Sequence, residues 1–165
     1  MGHGAVLLVD GVRVAWMADA WTWFDYEVLE TDAGPEGQAL FEALALLIAM
    51  RVWVPMWCEI PTTIVVQSDS LAALGSAAKL GSSIPQMNLI VRELALEMAE
   101  GTFEVVLYGH VPGHLNVEAD ALSRLTDPNL AKTVPEPLWD VTRTAVPQRT
   151  AAWWRTRSAP SASSS

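Results

Sequence analysis

The chain contains almost no cysteine. Its 165 residues include one, Cys58, and a single thiol excludes both an internal disulfide framework and a zinc site made of several cysteines. This usage is typical of a reducing, intracellular setting. Any bound metal is therefore expected to have oxygen ligands.

Long hydrophobic runs are missing as well. The longest apolar run of the central helix candidate covers 43–50, well below the roughly 20 residues that cross a bilayer. The short run Ala5–Val9 has no Lys or Arg before it and ends at Asp10, unlike a secretory signal. We expect no membrane span and no membrane partner.

Positive charge is scarce. Lys and Arg together number 10 against 19 Asp and Glu, which gives a formal net charge of -9. Such an acidic body repels a phosphate backbone unless cations or local basic groups intervene. The simpler interpretation is a soluble acidic surface.

The chain has 165 residues, of which 51% are hydrophobic. It is therefore long enough and apolar enough for one domain with a single buried core.

A two-residue turn opens the chain. The strand-like stretches Ala5–Val9 and Val12–Trp16 flank Asp10-Gly11, a dipeptide that favours a tight hairpin turn. We expect two antiparallel strands there. Residues 18–34 lack a clear period and are predicted to be a connecting segment.

A long helix and alternating strands and helices follow. The helix is predicted to start at Pro35 and Glu36, which suit a first turn, and to run to about Trp53. The later pattern predicts strands over 63–67 and 103–108, and helices over 70–80, 86–100 and 117–125. This order indicates the α/β class, with a mixed sheet flanked by helices.

Prolines interrupt the C-terminal part of the chain. They recur between 128 and 147 and exclude long regular elements there. The small-residue stretch Ser158–Ser165 is expected to be a disordered tail. We therefore divide the chain into a domain over 1–126 and a Pro-rich extension over 127–165.

Glu42 stands out because it lies in the apolar part of the long helix. An unpaired ionised carboxylate in such surroundings is costly, so Glu42 needs a partner or a cation. The structural alternative is a glutamate at the helix edge that reaches water beside Gln38, one turn earlier.

Two aspartates occupy the ends of predicted elements. Asp69 follows a strand, at the end where α/β sheets place their sites, although it also suits a helix N-cap beside Ser68 and Ser70. Asp120 lies one turn into a helix, where Arg124 four residues later offers an ordinary ion pair. Neither aspartate identifies a site by itself.

The tract His110–Arg124 is the most informative part of the sequence. Pro112-Gly113 ends a strand, His114 follows on the loop, and Asn116 precedes a helix. A titratable histidine on a loop beside carboxylates on rigid elements fits a metal-assisted hydrolase. The alternatives are an ordinary exposed histidine and an asparagine that only caps the helix.

The three carboxylates Glu42, Asp69 and Asp120 come from a helix centre, a strand end and a helix start. If they converge, oxygen ligands of this kind suit Mg²⁺ or Mn²⁺. Two such ions about 3.5–4 Å apart catalyse in-line phosphodiester hydrolysis. The set predicts a metal-dependent nuclease.

The sequence resembles a ribonuclease H domain of type 1, in the version attached to retroelement reverse transcriptases. The resemblance covers roughly residues 2–126. The matching pieces are Gly4–Leu8, Glu42–Leu47, Ser68–Ser70, and His110–His114 running on to Asn116, Asp120 and Leu122–Arg124.

This resemblance implies a ribonuclease H-like layered fold and cleavage of the RNA strand of RNA/DNA hybrids. Glu42, Asp69 and Asp120 would bind Mg²⁺ or Mn²⁺, His114 would assist proton transfer or product release, and Asn116 would contact nucleic acid. Recognition would depend on the wide minor groove and the 2′-hydroxyls. A reverse transcriptase domain upstream is the implied partner.

One departure from the family pattern is serious. The family's first strand carries another catalytic aspartate and lies in the middle of the sheet, whereas this sequence starts at the turn after that strand. Asp10 is at the wrong end of its strand to replace that aspartate. We expect two strand edges without partners, impaired hydrolysis, and a truncated gene model or a degenerate element copy.

Two other functions remain open on the sequence alone. One is a nucleic-acid-binding remnant that keeps the fold without turnover. The other is an α/β interaction domain, whose Trp-rich connector and Trp153-Trp154-Arg155 segment dock a protein partner. Those tail aromatics also suit single-strand stacking, or an ordinary solvated terminus.

Overall fold

The computed structural model describes residues 1–32, 34–35 and 37–157, and its first element is the predicted hairpin. Strand β1 (Gly2–Val9) pairs antiparallel with β2 (Val12–Ala20). Asp10 and Gly11 between them have φ values of 50° and 77°, as a primed turn requires. The hairpin prediction is confirmed.

The prediction of a connecting segment over 18–34 is wrong. Strand β2 runs on to Ala20, and helix α1 (Trp23–Leu29) follows. A capping box starts that helix: the Asp25 amide donates to the Thr22 hydroxyl, and the Asp25 carboxylate accepts from the Thr22 amide at 2.8 Å. This local hydrogen bonding fixes a helix that has no clear apolar period.

Helix α2 (Gln38–Trp53) is the predicted central helix, although it starts three residues after Pro35. Glu36 lies outside the described residues. Most of the apolar side chains of α2 are buried, as expected for a helix that is hydrophobic nearly all round.

By length and composition, Gln38–Met56 is apolar enough to cross a membrane. A buried core helix passes the same test, so this is weak evidence for a span.

The alternating pattern of the second half is confirmed. Strand β3 (Thr62–Ser68) and strand β4 (Phe103–His110) are parallel neighbours. Helices α3 (Leu71–Lys79) and α4 (Pro85–Glu100) connect them. Ser70 caps α3 through its hydroxyl, and the proline at the start of α4 suits a first helical turn.

The strands form two separate sheets in the described part of the chain. The first has the order β1-β2-β5, in which β5 (Thr142–Arg143) runs parallel to β2; the second contains β3 and β4. No ladder joins β1 to β3 among these strands. The α/β class with a mixed sheet and flanking helices is confirmed.

Both sheets pack on one core around α2. Side chains of β1, including Ala5 and Leu7, and of β3, including Ile64, contact the same apolar cluster. Leu44 and Leu47 at its centre are fully buried. The two sheets therefore share one apolar core.

Helix α5 (Val117–Ser123) covers the other face of the first sheet, together with part of the C-terminal segment. A second apolar cluster contains Trp16, Leu122 and Leu138, and Trp154 is buried in the main core. The described residues beyond 127 have only short elements, as the prolines predict, yet they pack against the domain. The predicted tail over 158–165 lies outside the described residues.

Candidate functional site

Asp69 and the histidine-bearing loop lie together where β3 and β4 end. Ser68 is the register partner of His110, and the Val111 amide donates to the Ser68 carbonyl at 2.9 Å. A Cβ added to Gly113 would lie 3.6 Å from Asp69 Oδ2. Parallel pairing thus brings two of the predicted site segments together at the carboxyl ends of β3 and β4.

The carboxylate of Asp69 is not used as a helix cap. The hydroxyl of Ser70 accepts the Ala73 amide at 3.2 Å, and the Ser68 hydroxyl accepts the Ser70 amide at 3.1 Å. Neighbouring serines therefore satisfy the local backbone, and Asp69 is exposed. The capping alternative for Asp69 is wrong, which leaves its carboxylate accessible to a ligand.

His114 is exposed on a tight turn. The Leu115 and Asn116 amides both donate to the Pro112 carbonyl, at 2.8 and 3.2 Å. Asn116 occupies the N-cap position of α5, but its side chain makes no capping hydrogen bond. Capping therefore does not account for the Asn116 amide group.

Glu42 is half-buried on α2, and its partner is the one that the sequence suggests. Gln38 Nε2 donates to Glu42 Oε1 at 2.9 Å. The contact is between a neutral amide and a carboxylate four residues apart on one helix, so it stabilises the helix weakly. Gln38 and Glu42 thus form the polar stripe expected of a glutamate at the helix edge, and the Glu42 charge is not fully buried.

Asp120 pairs with Arg124 on the surface of α5. The distance from Arg124 Nη2 to Asp120 Oδ1 is 2.9 Å, and the two side chains are 51% and 48% exposed. Water screens a pair this exposed, which is worth less than about 1 kcal/mol. The predicted ion pair is confirmed, and it leaves Asp120 open to solvent.

The three carboxylates do not assemble a metal centre. Among the described residues, no group of three or more His, Cys, Asp or Glu side chains is placed to hold a metal ion. Glu42 and Asp120 each contact a partner on their own helix, while Asp69 lies beside the loop. The donors as placed do not fit a two-metal site, and no metal-dependent step is derived from them.

The other aspartates of the first half do not complete the set. Asp10 is at the hairpin tip and exposed, as the sequence indicates. Asp25 is fully buried and forms a two-pronged ion pair with Arg149, with both oxygen contacts at 2.7 Å. Asp19 lies 3.7 Å from the same arginine. Sequence reasoning missed this pair, since its members are 124 residues apart.

A second buried charge, Glu93 on α4, holds the C-terminal segment. Its carboxylate accepts from Arg51 and from the Thr156 amide and hydroxyl. Burial opposes the charge, but these hydrogen bonds outweigh it and lower the pKa of Glu93. Ionised Glu93 thus holds the segment around Thr156 against α2 and α4.

The side chains of the Trp153-Trp154-Arg155 segment contact other parts of the domain. Trp154 is 2% exposed, Arg51 stacks over the Trp153 ring at 4.4 Å, and Arg155 pairs with Glu100. The expectation of a solvated terminus is wrong for Trp154, whose buried ring is also closed to a partner or a base, whereas Trp153 is partly buried and Arg155 is exposed. Their apolar surface instead stabilises the fold.

His3 on β1 is buried beside Trp21, with the ring centroids 4.3 Å apart. Neither ring nitrogen has a hydrogen-bond partner. Burial, with a smaller contribution from the positive charge of Arg149, lowers the pKa of His3 to about 3. His3 is therefore neutral near pH 7.

Compared with known proteins, the chain matches no family model, no curated protein and no solved structure. Its fold class and the position of Asp69 beside the His114 loop are therefore the findings on which a functional proposal rests.

Proposed function

We propose that this chain is a ribonuclease H-like domain that hydrolyses the RNA strand of RNA/DNA hybrids once its interrupted sheet is completed. The observation that carries the proposal is the juxtaposition of Asp69 with the Pro112-Gly113 turn that precedes His114. An accessible carboxylate and an exposed imidazole at one sheet edge are the groups that general acid–base chemistry on a phosphodiester uses.

In this proposal the residues of the loop act on the nucleic acid directly. His114 moves a proton at a ring nitrogen, which its exposure to solvent permits. Asn116 offers an amide that is not committed to capping, so it can donate to a phosphate or a 2′-hydroxyl. The net charge of -9 favours binding that is mediated by cations.

Hydrolysis by two Mg²⁺ or Mn²⁺ ions is what the family resemblance implies, and it requires carboxylates that converge. Glu42 is half-buried and Asp120 is exposed, and each is only weakly held, by Gln38 and Arg124 respectively. Local side-chain rotation can release them at small cost. The proposal therefore includes an added strand between β1 and β3, with a further carboxylate, that draws them toward Asp69.

Hybrid cleavage tests this proposal on the 165-residue chain and on a version with an added N-terminal strand that contains an aspartate. We expect cleavage of the RNA strand only in the extended version, with Mg²⁺ or Mn²⁺ and not with a chelator. Asp69→Asn should reduce that activity by more than about 100-fold. The matched control Asp140→Asn, at an exposed aspartate, should retain it.

Absence of cleavage in the extended, folded version would exclude the proposal. Equal activity of Asp69→Asn and Asp140→Asn would also exclude it, because Asp69 would then have no part in the reaction.

A non-catalytic hybrid-binding domain is the second candidate. It is favoured by the separation of the carboxylates, which form no metal-holding group among the described residues. This function predicts that the chain shifts a labelled hybrid in a native gel, with equal affinity in the presence of a chelator. Binding that disappears with the divalent ion would favour the nuclease instead.

A further inference from the structure

A cavity of about 380 Å³ lies beside β2, between this strand and the segment that follows β5. We call it the β2 cavity, and its lining residues are Ala18, Asp19, Arg143, Ala145 and Val146. Sites for small molecules have volumes of about 300–1,000 Å³. The β2 cavity is at the lower end of this range, so it suits a small ligand.

The cavity exists because the backbone ladder between β2 and β5 ends early. The register pairs stop at Trp16 and Arg143, and the last backbone hydrogen bond runs from the Thr144 amide to the Trp16 carbonyl at 2.7 Å. The next hydrogen bond to β2 comes from the side chain of Arg149, which donates to the Ala20 carbonyl at 3.2 Å. In this described part of the chain, the segment makes no ladder with β2 between these two contacts, and the cavity lies in that gap.

Hydrogen-bond donors occupy one part of the cavity. Arg143 Nη2 donates to the Ala18 carbonyl at 3.2 Å, and the guanidinium lies over the Trp16 ring, 5.4 Å from its centroid. The amide and the carbonyl of an extended residue point toward the same strand edge, so the Ala18 amide also points toward the gap. A guanidinium and a backbone amide at one edge are suited to bind a carboxylate.

Asp19 places a carboxylate at the same cavity. Its side chain is 42% exposed, and Arg149 Nη1 is 3.7 Å from Asp19 Oδ2, which is longer than a hydrogen bond. The other contacts of the Arg149 guanidinium are shorter and go to Asp25, at 2.7 Å. Asp19 can therefore accept hydrogen bonds from a ligand.

The two opposite charges of the lining select the kind of ligand. An anion would be repelled by Asp19 and by the net charge of -9, and a cation would be repelled by Arg143. A zwitterion pairs with both groups and carries no net charge. The remaining lining is apolar, and Val146 packs against the main core, so the cavity suits an aliphatic side chain.

We propose that the β2 cavity binds an aliphatic α-amino acid, with its carboxylate on Arg143 and the Ala18 amide and its ammonium group on Asp19. This inference does not depend on the proposed nuclease function, because neither Asp69 nor His114 lines the cavity. Binding, rather than cleavage, therefore tests it.

Two-dimensional amide NMR spectra of the 165-residue chain measure the binding of L-leucine. We expect saturable shifts at the amides of Ala18, Asp19 and Ala145, with a Kd on the order of 0.1–1 mM. Isocaproate has the leucine skeleton without the amine, and isoamylamine has it without the carboxylate. Each should bind at least about tenfold more weakly, because it loses one charge-assisted hydrogen-bonding group.

Substitutions locate the two charged contacts. Arg143→Gln and Asp19→Asn should each weaken leucine binding by at least about tenfold. The matched controls Arg92→Gln and Asp140→Asn, at exposed positions, should leave the Kd unchanged. Ala145→Phe fills the cavity from an exposed position and should abolish binding, and the same spectra show that each variant is folded.

The absence of shifts at leucine concentrations on the order of 20 mM would overturn the proposal, as would shifts that lie only away from the cavity. Equal affinity for leucine and isocaproate would also overturn it, because the ammonium group would then have no partner. The same conclusion would follow if Arg143→Gln bound leucine as well as Arg92→Gln does.

Discussion

The buried imidazole of His3 makes the stability of this protein depend on pH. Its pKa is about 3 in the folded state because of burial and the nearby Arg149, whereas an unfolded histidine has a pKa near 6.5. The unfolded chain therefore binds more protons, and the free energy of unfolding falls as the pH drops below about 6.5. Integrated from pH 7 to pH 5, the loss is about 2 kcal/mol.

Substitution isolates this contribution. His3→Phe keeps an aromatic ring beside Trp21 and removes the titrating group, so it should lose about 2 kcal/mol less stability than the original chain between pH 7 and pH 5. His110→Phe is the matched control, at an exposed histidine on β4, and it should keep the original dependence.

Urea unfolding followed by tryptophan fluorescence at pH 7, 6 and 5 gives the measurement. Between pH 7 and pH 5 the protonation of Glu93 does not contribute to the change in stability. The pKa of Glu93 is lowered in the folded protein, so its stabilising charge is lost only at pH values below the range in which an unfolded glutamate titrates. An unchanged pH dependence in His3→Phe would refute the reasoning, since it would mean that the folded protein protonates His3 without cost.

Three further outcomes follow from buried contacts, each measured by chemical denaturation. Arg149→Met leaves the Asp25 charge buried and unpaired and should cost about 3–5 kcal/mol. Much of this loss should be recovered by also changing Asp25→Asn, which removes the charge and keeps an oxygen to accept the Thr22 amide. A loss below about 1 kcal/mol would contradict a buried pair. Leu138→Ala empties a fully buried site in the second cluster and should cost about 2–5 kcal/mol, whereas a negligible loss would show that the C-terminal segment is not part of the domain. Gly4→Ala places a methyl group 2.2 Å from Cβ of Leu122 on α5 and should cost about 1–3 kcal/mol. The control is Gly75→Ala, at a helical position with open space around it, and it should stabilise by up to about 1 kcal/mol. Similar effects of the two changes would refute the close contact between β1 and α5.

The sequence predicts the individual residues of the candidate site, but it does not predict whether all of them meet in space. Asp69 and the turn before His114 each follow a parallel strand, so their meeting at one edge follows from local pattern and general topology. The approach of Glu42 and Asp120 to that edge depends on how α2 and α5 pack across a sheet. In this structure the described strands form two sheets, β1-β2-β5 and β3-β4, and these carboxylates contact Gln38 and Arg124.

The sequence by itself determined the local elements: the turn at Asp10-Gly11, the apolar helix α2, and the alternation of strands with helices. Turn dihedrals, capping and apolar periodicity act within a few residues, so their signals are present in the sequence.

Only the tertiary structure decided the long-range pairings. The division into two sheets, the Arg149–Asp25 ion pair across 124 residues, and the packing of Leu138 and Trp154 have no local signal. Their free energy comes from burying surfaces that meet only after the chain has folded back on itself, and a proline-rich stretch that looks like an extension can therefore become part of the core.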